Sequence, residues 1–118
     1  MKRFGQRRRW RLRIEDMIDA IRKIQRYTRG LTYDEFATNE EKVDAVLRNL
    51  TVIGEAAREV PDDVRARHPR IPWTELRMIR NVVVHEYFGL DLAILWKTTQ
   101  DDLPELLPHL TRMLERER

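Results

Sequence analysis

The sequence predicts an all-α protein, an antiparallel bundle of four to five helices, and three observations support that fold class. Apolar residues recur at three- and four-residue intervals along most of the chain, which is the spacing of one face of an α-helix. Charged residues make up 36% of the 118 positions, as expected of helices with solvated outer faces. Four glycines and five prolines are too few for a turn-rich β fold, and short connections favour antiparallel neighbours.

The first predicted helix runs from about Arg8 to Arg29 and ends at Gly30, because glycine commonly follows the last helical residue. One apolar stripe runs along it, formed by Trp10, Ile14, Met17, Ile18, Ile21 and Ile24. The remaining surface of this helix is polar, so we expect it to pack one face on the bundle.

Two capping boxes are expected after the first helix. Thr32 with Glu35 has the spacing of a capping box and opens a short helical turn. Thr38 with Glu41 has the same spacing and is predicted to open the next long helix. That helix should continue to about Glu59, where a valine and a proline end it.

The second half of the chain predicts a short helix and then two longer ones. A brief helix fits residues 62–68, and Pro72 suits the first turn of a central helix from Trp73 to about His85. Asp91 is expected to cap the following helix. This helix should continue into a last one, where Pro108 introduces a bend.

The positive charge of the chain is concentrated at its beginning. The formal net charge is +3, but residues 1–13 contain seven basic residues and no acid, so the remainder carries −4. We therefore predict a basic N-terminal arm over residues 1–13 and a single domain over residues 14–118. Such an arm can bind phosphates, although a solvated extension is the simpler interpretation because short basic runs are common.

The composition excludes several classes of function. The chain has no cysteine, which rules out disulfides, thiolate catalysis and cysteine-ligated metals. The three histidines are scattered, so neither a metal nor another cofactor is expected, and His68 and His109 are interpreted as ordinary surface residues. No stretch approaches the roughly 20 apolar residues that span a bilayer. No apolar signal core follows the basic N-terminus, so a soluble, cytoplasmic protein is predicted.

The central helix carries the most reactive set of side chains. Projected at about 100° per residue, its inner face is apolar, whereas its outer face combines two arginines, an amide, an imidazole and a valine. The outer residues are Arg77, Arg80, Asn81, Val84 and His85, and Tyr87 follows them. The valine among polar groups indicates that this face meets another subunit. A two-fold dimer would bring two copies of the cluster together across the axis.

These side chains are suited to the cleavage of RNA. A histidine such as His85 can take a proton from a ribose 2′-hydroxyl or donate one to a leaving oxygen. A guanidinium such as that of Arg80 can hold the phosphate as negative charge develops on it. Because the nucleophile is the hydroxyl of the substrate itself, no metal is required. Glu86 could assist proton transfer, although a solvated carboxylate is the simpler interpretation.

The spacing Arg80, four residues, His85, one residue, Tyr87 is an R-x4-H-x-Y pattern and resembles that of the HepT toxins, members of the HEPN superfamily of helical bundles. The resemblance covers roughly residues 10–115, in ordered blocks at residues 14–21, 27–30, 48–50, 53–57, 71–73, 80–81, 85–88 and 102–104. One departure is visible, because Met78-Ile79 stands where similar proteins often have Gly-Met. The packing of the central helix around Met78-Ile79 can therefore differ from that in similar proteins.

The resemblance implies a toxin ribonuclease that acts as a homodimer, with Arg80 and His85 as the catalytic pair in a shared cleft. It also implies a partner, a nucleotidyltransferase antitoxin of the MntA type, which adenylylates Tyr87. The added AMP would place bulk and negative charge beside Arg80 and compete with the RNA phosphate. Asn81 lies one helical turn before His85 and is a supporting residue, and Arg77 adds a further cation.

Two alternatives remain open from the sequence. The same cleft could be a catalytically silent module that holds a nucleotide or regulates a nucleotidyltransferase partner. A third interpretation is nonspecific nucleic-acid binding through residues 1–13, which predicts that deletion of the arm removes RNA affinity.

Overall fold

In a computed structural model of the protein, residues 2–85 and 91–117 are described, with the backbone alone for residues 2–8 and 80–85. These residues form α-helices and one π-helical turn, without a strand. The elements are α1 (Lys2–Thr28), α2 (Tyr33–Ala37), α3 (Glu40–Arg58), α4 (Asp62–Ala66), α5 (Trp73–His85), α6 (Leu92–Lys97), the π turn (Thr98–Asp102) and α7 (Leu103–Arg116). The predicted all-α class is confirmed.

The first helix begins earlier than the apolar periodicity predicts. Helix α1 starts at Lys2 rather than near Arg8, and it ends at Thr28, before Gly30 adopts a left-handed φ of 78°. The glycine stop is therefore confirmed. Most of the predicted basic arm is helical and continuous with the domain, and Trp10 near its end is buried. The division into an arm and a domain stays a prediction, and no helix end coincides with it.

The first predicted capping box is present. The Thr32 hydroxyl accepts a hydrogen bond from the Glu35 backbone N–H at 3.2 Å, and the Glu35 carboxylate accepts one from the Thr32 N–H at 2.9 Å. The backbone hydrogen bond from Thr32 lowers the pKa of Glu35, because it favours the charged carboxylate. Both bonds satisfy N–H groups at the start of α2 that have no partner within the helix.

The second predicted capping box is wrong. Asn39, not Thr38, caps α3, because its side-chain oxygen accepts a hydrogen bond from the Lys42 N–H at 3.1 Å. The Thr38 hydroxyl instead donates to the Asp34 carbonyl at 2.7 Å, so it belongs to the end of α2. Because Thr38 serves as the C-cap of α2, which ends at Ala37, helix α3 begins one residue later than predicted.

The core is formed where α1 packs against α3 and α7, and α3 packs against α5. The predicted stripe of α1 is confirmed, since all six of its apolar residues are buried. The largest fully buried apolar side chains are Phe36, Ile14, Met17, Ile21, Ile24, Ile53, Leu110, Met113, Val46 and Val60. The bundle measures 48 × 28 × 21 Å, and α1 alone is about 40 Å long. Among the helices described, none has the length and apolar character needed to cross a membrane.

Helix α6, the π turn and α7 form one continuous helical rod. Asp91 begins it as predicted, with a carboxylate oxygen that accepts the N–H groups of Ala93 at 2.9 Å and Ile94 at 3.3 Å. Asp102 makes no capping bond, because the π turn already joins the two helices. Thr99 is buried inside this turn and donates its hydroxyl to the Trp96 carbonyl at 2.8 Å. The Trp96 ring also contacts Phe36, which holds α2 on the rod.

Candidate active site

Helix α5 has the limits that the sequence predicts, and its side chains are described as far as Ile79. It runs from Trp73 to His85, and the Trp73 indole N–H donates to the His68 carbonyl at 3.0 Å, which fixes the start of the helix. Leu76 is buried and Ile79 packs against the core, whereas Arg77 is exposed. Of the predicted outer face, the described side chain of Arg77 is thus accessible to a ligand or a partner.

Arg80, Asn81 and His85 lie in the last two turns of α5. Along the helix axis, Arg80 and His85 are about 7.5 Å apart, and Asn81 and His85 are about one turn apart. The side chains of these three residues lie outside the description, as does Tyr87 altogether. Their roles as catalytic pair, support and modification site therefore stay predictions.

Arg77, the predicted supporting cation, lies near a second guanidinium. Burial, and then the charge of Arg77, lower the pKa of Arg65. The Arg65 side chain is only 16% exposed and is paired with Asp62 of the same helix. Its Nε–H has no hydrogen-bond partner in the described structure.

His68 is not the ordinary surface residue that the sequence indicates. Its side chain is 11% exposed, and its Nε2 lies 3.0 Å from a carboxylate oxygen of Glu117. Arg67 donates to the same carboxylate from Nε at 2.9 Å and from Nη2 at 2.7 Å. The hydrogen bonds from Arg67, followed by that from His68, lower the pKa of Glu117 to about 2 against the opposing effect of burial. Because 49 residues separate His68 from Glu117, no local pattern could reveal the pair.

A cleft of about 260 Å³ lies between the α4–α5 connection and α7. We call it the arginine cleft, and its lining residues are Arg67, His68, Pro69, Arg70, Ile71, His109, Arg112, Met113 and Arg116. His109, also predicted to be a surface residue, forms part of its wall and is half-buried. The sequence carried one local signal, since Arg112 and Arg116 are four residues apart and share a face of α7.

A second groove, of about 480 Å³, continues from the arginine cleft along α5 and shares Arg70 and His109 with it. Its apolar lining includes Leu76 and Ile79 of α5. The groove therefore follows the inner face of α5 from the arginine cleft as far as Ile79. In the described ranges, no group of three or more histidine, aspartate or glutamate residues is arranged to hold a metal ion.

Comparison with known proteins gives a consistent result. The family described as ribonuclease HepT-like matches residues 17–113 of the chain. A probable ribonuclease HepT of Thermococcus cleftensis is 40% identical over 93 residues, which cover 79% of this chain and 84% of that protein. A putative RNase of Methanocaldococcus jannaschii is 36% identical over 91 residues, covering 77% and 84%. A putative RNase of Caldanaerobacter subterraneus is 29% identical over 105 residues, covering 89% and 94%. No solved structure matches the chain.

Proposed function

Because this chain belongs to the ribonuclease HepT-like family, we propose that it is an endoribonuclease toxin that cleaves RNA without a metal ion. One observation carries the proposal. The arginine and histidine of the R-x4-H pattern lie on one uninterrupted helix, whose described outer side chains include the exposed Arg77. A rigid helix can keep two such groups at a constant separation from a phosphate.

In the proposed reaction the ribose 2′-hydroxyl attacks the adjacent phosphorus. His85 of one subunit takes the hydroxyl proton, and a second proton donor returns a proton to the 5′-oxygen as its bond to phosphorus breaks. The products are a 2′,3′-cyclic phosphate and a 5′-hydroxyl. Arg80 stabilises the charge on the phosphorane, while Asn81 orients the imidazole or contacts the phosphate, and Arg77 adds to the positive potential.

The proposed enzyme is a two-fold homodimer. In such a dimer the His85 residues of the two subunits face each other, so that one can serve as base and the other as acid. An exposed apolar side chain supports this arrangement. Met78 is 53% exposed on α5, and at 100° per residue it lies only about 20° from His85 around the helix. A second copy of α5 would cover it.

The proposed regulation is adenylylation of Tyr87 by a nucleotidyltransferase antitoxin of the MntA type, in a type II toxin–antitoxin system of the cytoplasm. A tyrosine two residues after His85 is close enough in sequence for an attached AMP to reach the same phosphate site. The negative charge of AMP would occupy the arginines that otherwise hold RNA. Inhibition would then follow from competition for the same cations.

The proposal is tested by RNA cleavage in the presence of a metal chelator, with His85→Ala and Arg80→Ala. Loss of the general base or of the phosphate-binding cation should lower cleavage at least about 100-fold. Arg22→Ala, on the exposed face of α1, is the matched control and should retain full activity. Coexpression with the antitoxin and ATP should add one or more adenylyl groups to Tyr87 by intact mass and abolish cleavage.

Two results would contradict this function. Cleavage that survives His85→Ala would exclude the proposed mechanism. A parent protein that binds its nucleotidyltransferase partner but cuts no RNA, with Tyr87 unmodified, would establish the binding-module alternative instead. Circular dichroism of each variant separates a lost catalytic group from a lost fold.

A further inference from the structure

We infer that the arginine cleft is a phosphate-binding subsite for the RNA that this enzyme cuts, separate from the catalytic end of α5. The inference rests on the proposed function for the identity of the ligand. The cleft itself is a geometric feature of the bundle, formed by two distant segments of the chain, residues 67–71 and 109–116.

The charge of the cleft is the first argument. Four arginines line it, and no acidic residue is among its lining residues in the described structure. The Arg67 guanidinium is paired with two carboxylates, at 2.7 Å from Nη2 to Glu117 Oε1 and 3.6 Å from Nη1 to Asp63 Oδ2. Within the same described part of the chain, no ion pair joins Arg70, Arg112 or Arg116 to a carboxylate. Three exposed arginines that have no carboxylate partner in the described structure therefore line one concave surface, and Arg112 also donates from Nε to the Pro108 carbonyl at 3.4 Å.

The surroundings make this concentration of charge specific. Residues 14–118 carry a net charge of −4, so the cleft is a local positive site on a domain that otherwise repels polyanions. Guanidinium groups bind phosphate through two parallel hydrogen bonds, which suits an RNA backbone. Ile71 and Met113 provide an apolar floor between the arginines.

The position of the cleft indicates which phosphates it would hold. The cleft lies beside the start of α5, and the 13 residues of that helix place His85 about 18 Å farther along the axis. The adjoining groove extends from the start of α5 as far as Ile79. The groove also carries Glu75, Asp102 and Glu105, so phosphate binding is confined to the arginine cleft itself. The cleft would therefore hold phosphates several nucleotides away from the cleaved bond.

The test measures the salt dependence of RNA binding by the full chain carrying His85→Ala, which prevents cleavage of the probe. The probe is a fluorescent single-stranded RNA of about 20 nucleotides, followed by anisotropy between about 50 and 200 mM salt. The double variant Arg112→Gln with Arg116→Gln should weaken binding about 10- to 30-fold and reduce the slope of log affinity against log salt by about 1.4. Arg70→Gln, on the opposite wall, should reduce the slope by about 0.7.

The matched control is Arg22→Gln with Arg29→Gln, which removes the same charge from exposed positions outside the cleft. An unchanged slope in the cleft variants, an equal loss in the control, or no RNA binding by the parent would overturn the inference. Cleavage by the chain without His85→Ala is measured separately. Absence of cleavage would exclude the proposed function. RNA binding that does not change in the cleft variants would exclude only this inference.

Discussion

Glu117 connects three distant parts of the chain through its carboxylate and its backbone carbonyl. Arg67 and His68 donate to its oxygens, and Arg11 of α1 donates to its backbone carbonyl at 2.9 Å. The side chain is 17% exposed, so these hydrogen bonds are partly shielded from water. This residue therefore links the end of α7 to the α4–α5 connection and to α1.

We predict that Glu117→Gln destabilises the protein by roughly 1 to 2 kcal/mol at neutral pH, because hydrogen bonds to a charged group are lost. The pKa of Glu117 is lowered from 4.5 to about 2 in the folded state, so its contribution is fully present above pH 4.5. The contribution is lost as the pH falls towards 2. Urea denaturation at several pH values measures the difference. The difference in stability between the parent and Glu117→Gln should decrease as the pH falls from 4.5 towards 2. Glu115→Gln, at an exposed residue of the same turn, should change the free energy of unfolding little.

At the scale of an element, the start of α3 shows how capping decides a boundary. Asn39 and Thr38 both have side chains that can cap a helix, but only Asn39 bonds to an N–H of α3. Thr38 is used by the preceding helix, where it donates to Asp34. Adjacent residues of similar chemistry thus serve two different helix ends.

We predict that Asn39→Ala lowers the free energy of unfolding by about 1 kcal/mol, because an N–H in the first turn of α3 loses its acceptor. Thr38→Ala is the matched control and should lower the free energy of unfolding less. The exposed Thr38 hydroxyl donates to the Asp34 carbonyl, which also accepts the Thr38 backbone N–H. Chemical denaturation monitored by circular dichroism compares the two. A greater loss for Thr38→Ala would mean that the threonine sets the start of α3.

At the scale of the whole molecule, local and distant interactions differ in how well the sequence reveals them. The limits of α5, the Thr32 capping box and the Asp91 cap were predictable because each depends on residues within a few positions. The Glu117 network and the arginine cleft were not, because each joins segments that the bundle alone brings together. The positions of Arg80 and His85 in one helix follow from spacing, whereas their side-chain geometry cannot be read from spacing.

The proposed dimer is also a property of the whole molecule. We predict that Met78→Glu shifts the protein from dimer to monomer and lowers RNA cleavage, because a charge would be buried between two copies of α5. Ile94→Glu is the matched control, since Ile94 is 65% exposed on α6 and lies outside the proposed interface. Light scattering coupled to size-exclusion chromatography measures the mass. A monomeric parent, or a Met78→Glu protein that remains dimeric, would exclude this interface.

The π turn at Thr98–Asp102 is a position at which this chain can change length. Its hydrogen-bonded ring contains one more residue than that of an α-helix, and Gln100 in its middle is exposed. Deletion of one residue from this turn would leave an ordinary α-helix. Helix α6 and the leucines of α7 would then still face the core. Evolution can therefore add or remove a residue here without rebuilding the bundle.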